Sequence, residues 1–415
     1  MFSDEHSSIL DQVIYGDLDE SSYNTLIQHD TDITRKDKFF FNRVDLEYHL
    51  DMCHATEGFQ TRYHMSEPSY FQLVDILRDD IAPNEKQSSN STSGNSPITS
   101  EMVTCMGLRF MGGEKIKSLA DAFGCHLRST DRAVDKFLEA VDISSAEMLS
   151  TNLLPQDQFQ KTKLANEWNV CSGAFGIMYG HLAPIDGWLC TTQKPWDVPN
   201  PSDYRSGHYQ RFGLNVQAMC DANLRIIYLA VAGPGKMNDA RAYRKLFGLH
   251  SWMNQLEGQY FCSGDNAYSL TNKMLIPFSE VNRFEEYNRV YNYFLCQLRI
   301  RIEMCFGRLT TKWRIFRSDL SWSTDKNSQI IRVGAKLHNY VINADNINLI
   351  RYDSENFEDL EVEPLVDGPL GNRGYLPVMN RSINSNHLSS RRDDMIQMIR
   401  ERDMVRPEHN IDRNG

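Results

Sequence analysis

Four carboxylates stand where this chain could do chemistry: Asp186, Asp239, Asp265 and Glu303. Asp186 follows the strand-like run GAFGIMYGHLAPI (173–185), and Asp239 opens the short helical stretch NDARAYRKLFG. Asp265 follows QYFCSG (259–264), another strand, and Glu303 lies inside a long helical region. Taken singly, an Asp after a strand is an ordinary turn former or helix cap. Taken together, the order strand–Asp, hairpin, Asp–helix, strand–Asp, helix–Glu points to one shared pocket. In open α/β sheets chemistry gathers where strands end and helices begin. Carboxylates in one pocket repel each other unless a cation neutralises them. An all-oxygen set suits Mg²⁺ or Mn²⁺, and two such ions roughly 3.5–4 Å apart serve phosphodiester cleavage.

Glu303 sits in RIRIEMCFGRLTTKWRIFR (299–317), where six Lys or Arg residues surround this one acid. An Arg299–Glu303 pair at i,i+4 is also common surface decoration. Helix geometry supplies the context. Leu295, Leu298, Ile302, Phe306, Leu309, Trp313 and Phe316 form one apolar stripe. Glu303 lies roughly 110° from its centre, with Arg299, Gly307, Thr310 and Arg314 beside it. Gly307, one turn on, leaves room above the carboxylate. Arg301, Arg308 and Lys312 lie further round, and the expectation is that they meet DNA phosphates together with Arg299 and Arg314.

The elements that must position these residues follow from periodicity. RFGLNVQAMCDANLRIIYLAVAGPG (211–235) reads as a hairpin about a DAN turn, and helices are expected over 70–81, 284–317 and 328–344. The acids then fall into the layout of an α/β RNase H-like domain, a mixed sheet flanked by helices. Upstream, a helix is expected from Ser100 to Phe110, another over Ile116–Phe123, a turn at Gly124, and a third helix capped by Ser129 or Thr130. This is an all-α, helix-turn-helix-like pattern that would present Arg128, Ser129, Arg132 and Lys136 to DNA; a plain helical bundle is the alternative. The expected organisation is an acidic, partly disordered region (1–60), a helix-turn-helix-like domain (61–145), the catalytic domain (165–345) and a polar tail (346–415) with one short helix near 391–404.

Composition bounds the partners. The 415 residues carry a formal charge of −11, with 41% hydrophobic residues, no apolar run of membrane-spanning length and an acidic, polar start unlike a secretory signal. Nine cysteines without CxxC spacing argue for reduced thiols, not a zinc module or disulfide framework. Net charge averages over the chain, whereas nucleic-acid binding depends on local patches.

APIDGW, GPGKMNDARAYR, GDNAYSLTNKMLIPF and RIRIEMCFGRLTTKWRI resemble, in order and spacing, the DDE domain of PIF/Harbinger transposases and their domesticated nuclease relatives. KLHN (336–339) resembles that family's later helix, so the likeness spans about 165–345. It implies metal ligands at Asp186, Asp239, Asp265 and Glu303, with Asp186, Asp265 and Glu303 as the catalytic triad and Asp239 as an additional acid. It also implies a divalent-metal nuclease, with Mg²⁺ or Mn²⁺ as two ions, that cuts double-stranded DNA at transposon ends and joins 3′-hydroxyls to target DNA. Further implications are a Myb-like DNA-binding partner, a homo-oligomer, and a nuclear location reached with that partner, the chain alone staying cytoplasmic. The rivals are a domesticated or silent relative, acting as a nuclease or only as a DNA- or protein-binding module, and an RNase H-like enzyme acting on RNA or on repair intermediates. YRSGHY (204–209) and Arg211 either touch DNA or merely lead into the hairpin.

Overall fold

In a computed structural model, the structure describes residues 42–56, 58–83, 97–172, 176–279, 285–350 and 390–406. The expectations for residues 1–41 and for most of the polar tail lie outside the described residues.

The first part is helical: α1 (Leu46–Ala55), α2 (Phe59–Tyr63), α3 (Glu67–Ile81), α4 (Ser100–Met111), α5 (Ile116–Phe123) and α6 (Leu127–Ile143). α3 starts at Ser66, whose hydroxyl accepts from the Ser69 N–H, the expected use of serine at a helix entry. α5 stops at Gly124, which adopts φ +59°, and a Cβ there would lie 1.9 Å from the Asn42 carbonyl oxygen. Only glycine fits that turn. The cap of α6 differs from expectation. His126 is the capping residue, its Nδ1 accepting from the Arg128 N–H, so Ser129 and Thr130 fall inside the first turn.

After α7 (Gln158–Ser172) come β1 (His181–Thr191), β2 (Gly213–Cys220), β3 (Ile226–Pro234), α8 (Asp239–Arg244), α9 (Phe247–Asn254), β4 (Phe261–Ser263) and β5 (Met274–Leu275). α10 (Glu286–Lys312), α11 (Thr324–Ala344) and α12 (Ser390–Glu401) complete the described chain. The five strands form one sheet in the order β3-β2-β1-β4-β5. β1, β2 and β3 pair antiparallel, while β4 runs parallel to both β1 and β5. This mixed, helix-flanked sheet is consistent with the RNase H-like expectation.

Two apolar clusters hold the parts together. One joins α3, α4 and α6 to β2, the second half of α10, and α11, through residues such as Phe137, Val216, Phe306 and Ile330. The helical region is therefore packed directly against the sheet domain. Polar contacts fix the same junction: Lys336 on α11 donates to the carbonyls of Val141, Asp142 and Ser144 at the end of α6, and Arg332 forms a bidentate pair with Asp142 at 2.8 and 2.6 Å. The second cluster gathers α7, β1, β4, α9, the first half of α10 and α12. Arg391 and Arg392 at the start of α12 lie over the Phe261 and Phe278 rings at 4.7 and 4.0 Å. All nine cysteines are free thiols.

Candidate active site

Asp186 does not follow a strand. It sits in the middle of β1, opposite Ala218 of β2. Strand alternation places it on the same face as Trp188 and Cys190. That face is covered by the second half of α10 and the 3-10 turn after it (Arg314–Arg317), where Trp188 meets Phe306 and Phe316 at ring distances of 5.9 and 5.3 Å. Gly187 points the other way, and its missing side chain has a use. A Cβ there would lie 1.9 Å from Asp239 Oδ1 and 2.7 Å from Gln217 Nε2. Asp239, just inside the Asn238 cap of α8, thus lies against the β1 backbone beside Asp186.

A row of buried polar groups holds Asp239 there. Its Oδ1 accepts from Gln217 Nε2 at 2.8 Å and from Asn215 Nδ2 at 3.0 Å. The Gln217 amide is itself oriented by the Tyr268 hydroxyl, which donates to Oε1 at 2.7 Å. Asn215 and Gln217 are alternate residues on β2, so both amides project to one side of the sheet. Asp265 follows β4, and its Oδ1 accepts from the Ala267 N–H at 2.9 Å. Because β4 runs beside the first half of β1, Asp265 comes up next to Asp186.

Glu303 projects from α10 as expected and is about half exposed, at 49%. Arg299, one turn earlier, joins the two sides of the site. Its guanidinium contacts Asp186 Oδ2 at 3.3 Å and Glu303 Oε1 at 2.7 Å. The electrostatics are those of crowded carboxylates. Burial pushes Asp186 up to about 7; the charges of Asp265 and Asp239 add to the rise, and Arg299 opposes it. Asp265 is also raised, first by burial and then by Asp239 and Glu303, against the Ala267 hydrogen bond and Arg299. Asp186 thus senses Asp265 and Asp239, and Asp265 senses Asp239 and Glu303.

The donor chemistry fits a hard divalent cation: every group is a carboxylate oxygen, and Asp186, Asp239 and Asp265 each have one oxygen tied by N–H donors. The spacing is a different matter. Among the described residues, no group of three or more His, Cys, Asp or Glu side chains is drawn together closely enough to hold an ion as it stands. The gap between Asp186 and Glu303 is bridged by a guanidinium instead.

The bases expected to meet DNA are placed as follows. Arg299 is an internal partner of two acids, with its side chain only 22% exposed. Arg301 donates to the Leu349 carbonyl at 3.2 Å, and Lys312 donates to the His64 carbonyl at 2.8 Å. Burial holds the Lys312 amine down at about 8. Arg308 is half-buried beside them. These three project 140–200° round the helix from Glu303, on the side where Arg301 reaches residue 349 and Lys312 reaches residue 64. Arg314 is exposed. On α6, Arg132 is exposed, Arg128 half-buried, and the Lys136 amine is bonded to the Ala82 carbonyl. In the β1–β2 connection, Arg211 pairs with Asp319 at 2.6 Å and Arg205 with Gln210, while Tyr209 stays exposed.

Comparison with known proteins agrees with the motif resemblance. Residues 185–339 match the family described as DDE superfamily endonuclease. The chain is also similar to Protein ALP1-like of Arabidopsis thaliana, 21% identical over 344 residues that cover 78% of this chain and 76% of the relative. No solved structure matches significantly. Among the described residues, no helix is long and apolar enough to cross a membrane. The acids fall in the expected order along β1, α8, β4 and α10, and the region that carries them is similar to the DDE superfamily endonucleases over residues 185–339.

Proposed function

We propose that this protein is a divalent-metal-dependent DNA endonuclease of transposase descent, with an RNase H-like catalytic domain. The observation that supports the reading is geometric: Asp239 lies against β1 at Gly187, next to Asp186, and Arg299 joins Asp186 to Glu303 across the strand and the helix. Acids placed in this way are costly to fold around unless a cation belongs there. Asp186, Asp265 and Glu303 would hold Mg²⁺ or Mn²⁺, with Asp239 as the additional ligand. Two bound ions would supply Lewis acidity to the entering and leaving oxygens of a phosphodiester. The chain's own contribution is placement. Gln217 and Asn215 aim Asp239, the Ala267 N–H fixes one Asp265 oxygen, and Gly187 lets two acids approach one strand position.

In this reading water is the first nucleophile, and a 3′-hydroxyl of the cut strand the second. Cleavage at transposon ends is followed by joining to target DNA. The α5–Gly124–α6 unit would act as a helix-turn-helix, with Arg132 its most accessible base. A Myb-like partner would add DNA affinity, and entry to the nucleus with it; a homo-oligomer would bring two ends together.

The second reading is a domesticated relative that keeps the acids and no longer binds transposon ends. The test of the main reading is strand cleavage by purified protein with Mg²⁺ or Mn²⁺ on duplex DNA carrying the inverted repeats that flank the gene. Single strands and RNA–DNA hybrids serve as comparisons. Duplex cleavage that disappears in Asp186→Asn and Glu303→Gln, with the fold intact, supports it; wild-type-like cleavage by either variant rejects the site. Absence of flanking repeats, with cleavage retained, favours the domesticated reading.

A further inference from the structure

The guanidinium of Arg299 lies where the proposed site needs its cation. It is held in ion pairs by Asp186 from β1 at 3.3 Å and by Glu303 from its own helix at 2.7 Å. The helix places it there: Arg299 and Glu303 are one turn apart on the same side of α10, which crosses the face of β1 that carries Asp186. A guanidinium keeps the carboxylates it joins further apart than a metal ion does. Arg–carboxylate contacts place the two acids on opposite edges of a planar fork, whereas a small divalent cation draws oxygens to about 2.1 Å from one point. This accounts for Asp186 and Glu303 being joined through a guanidinium while, among the described residues, no acids form a ready-made ligand group.

From this geometry we infer that Arg299 is a built-in counter-cation that occupies the acid cluster in the metal-free protein and must leave Asp186 and Glu303 before a divalent ion can be bound by both. The inference rests on the metal-site reading above. Arg299 is here a positioning residue: it keeps the acids compensated in the resting fold and sets a threshold concentration for loading. Its side chain is 22% exposed and Glu303 is 49% exposed, so an outward path along the helix surface is open. A withdrawn guanidinium near the cleft is suited to a phosphate of bound DNA, which links loading to substrate.

The experiment is Mn²⁺ titration by isothermal calorimetry on the full chain, for wild type, Arg299→Gln, Arg299→Lys and Asp186→Asn, with thermal melting of each protein in EDTA. Expected is Mn²⁺ binding to Arg299→Gln that is about tenfold or more tighter than wild type, with a melting temperature in EDTA below wild type that saturating Mn²⁺ restores. Arg299→Lys, which keeps the charge but not the fork, is expected between the two. Unchanged or weaker binding by a folded Arg299→Gln overturns the inference and leaves the metal site standing. Mn²⁺ binding that Asp186→Asn does not diminish, or no Mn²⁺ binding by any of the proteins, overturns the site reading and the inference together.

Discussion

Replacing Gly187 by alanine tests the placement of two acids at once, because Gly187 is the spacer between β1 and α8. An alanine Cβ would stand 1.9 Å from Asp239 Oδ1, 2.6 Å from its Cγ and 2.7 Å from Gln217 Nε2. Ordinary contact begins near 3.4 Å, so the carboxylate must retreat by about 1.5 Å or the strand must bend away. Either movement disturbs the hydrogen bonds from Asn215 and Gln217 to Asp239, and losing one such bond to a charged acceptor costs about 1.5–3 kcal/mol. A reacting or ligating group displaced by about 1 Å loses roughly a hundredfold in rate. Gly187→Ala is therefore expected to lower the melting temperature and cut Mn²⁺-dependent duplex cleavage by about that factor. The control is Gly207→Ala in the β1–β2 connection, where an added Cβ meets nothing within 4 Å; it should behave as wild type. Gly187→Ala protein that melts and cleaves like wild type would show that Asp239 is not held against β1, and would refute the packing on which its role depends.

Three further outcomes are expected. Tyr268→Phe removes the hydroxyl that donates to Gln217 Oε1 in a buried setting, so stability should fall by about 1–3 kcal/mol in urea unfolding, with cleavage falling alongside as Gln217 and Asp239 loosen. Lys336→Met strips three carbonyls at the end of α6 of their donor and should cost about 1–3 kcal/mol in the same assay while sparing the acid cluster. His64 is held down at about 4, chiefly by burial and then by Lys312 and Arg314, against an ordinary value of 6.5. The unfolded chain therefore takes up this proton before the folded one, and the stability present above pH 6.5 is lost as pH falls toward 4. His64→Asn, whose side chain tolerates the left-handed backbone at φ 61°, should give a flatter melting-temperature profile across that window; an unchanged slope would refute the assignment.

Much of this arrangement is legible in the residues alone, and the misreadings have physical causes. The DAN hairpin, α10 and α11 follow from period and turn chemistry, which are local. Asp186-Gly187 looks like a turn after a strand, because Asp-Gly is a turn signal. In fact β1 runs through it, and the glycine serves a tertiary contact with Asp239. Asn215 and Gln217 escaped attention, yet two amides alternating with Leu214, Val216 and Ala218 in a buried strand were a readable sign of a polar site on one face. Helix angles placed Arg301, Arg308 and Lys312 correctly relative to Glu303. What the helix cannot tell is which neighbour lies on that side, and here Arg301 reaches residue 349 and Lys312 reaches residue 64. The His126 cap was hidden because Ser and Thr, the stronger capping residues, follow within four positions.

The most direct measurement is anomalous X-ray scattering from crystals of the full chain soaked in MnCl₂. The expected result is one or two manganese peaks about 2.0–2.3 Å from carboxylate oxygens of Asp186 and of Asp265 or Glu303, with Arg299 turned away. Manganese bound only elsewhere, in protein that cleaves DNA with that same ion, would contradict the assignment of the cleavage site to these four acids.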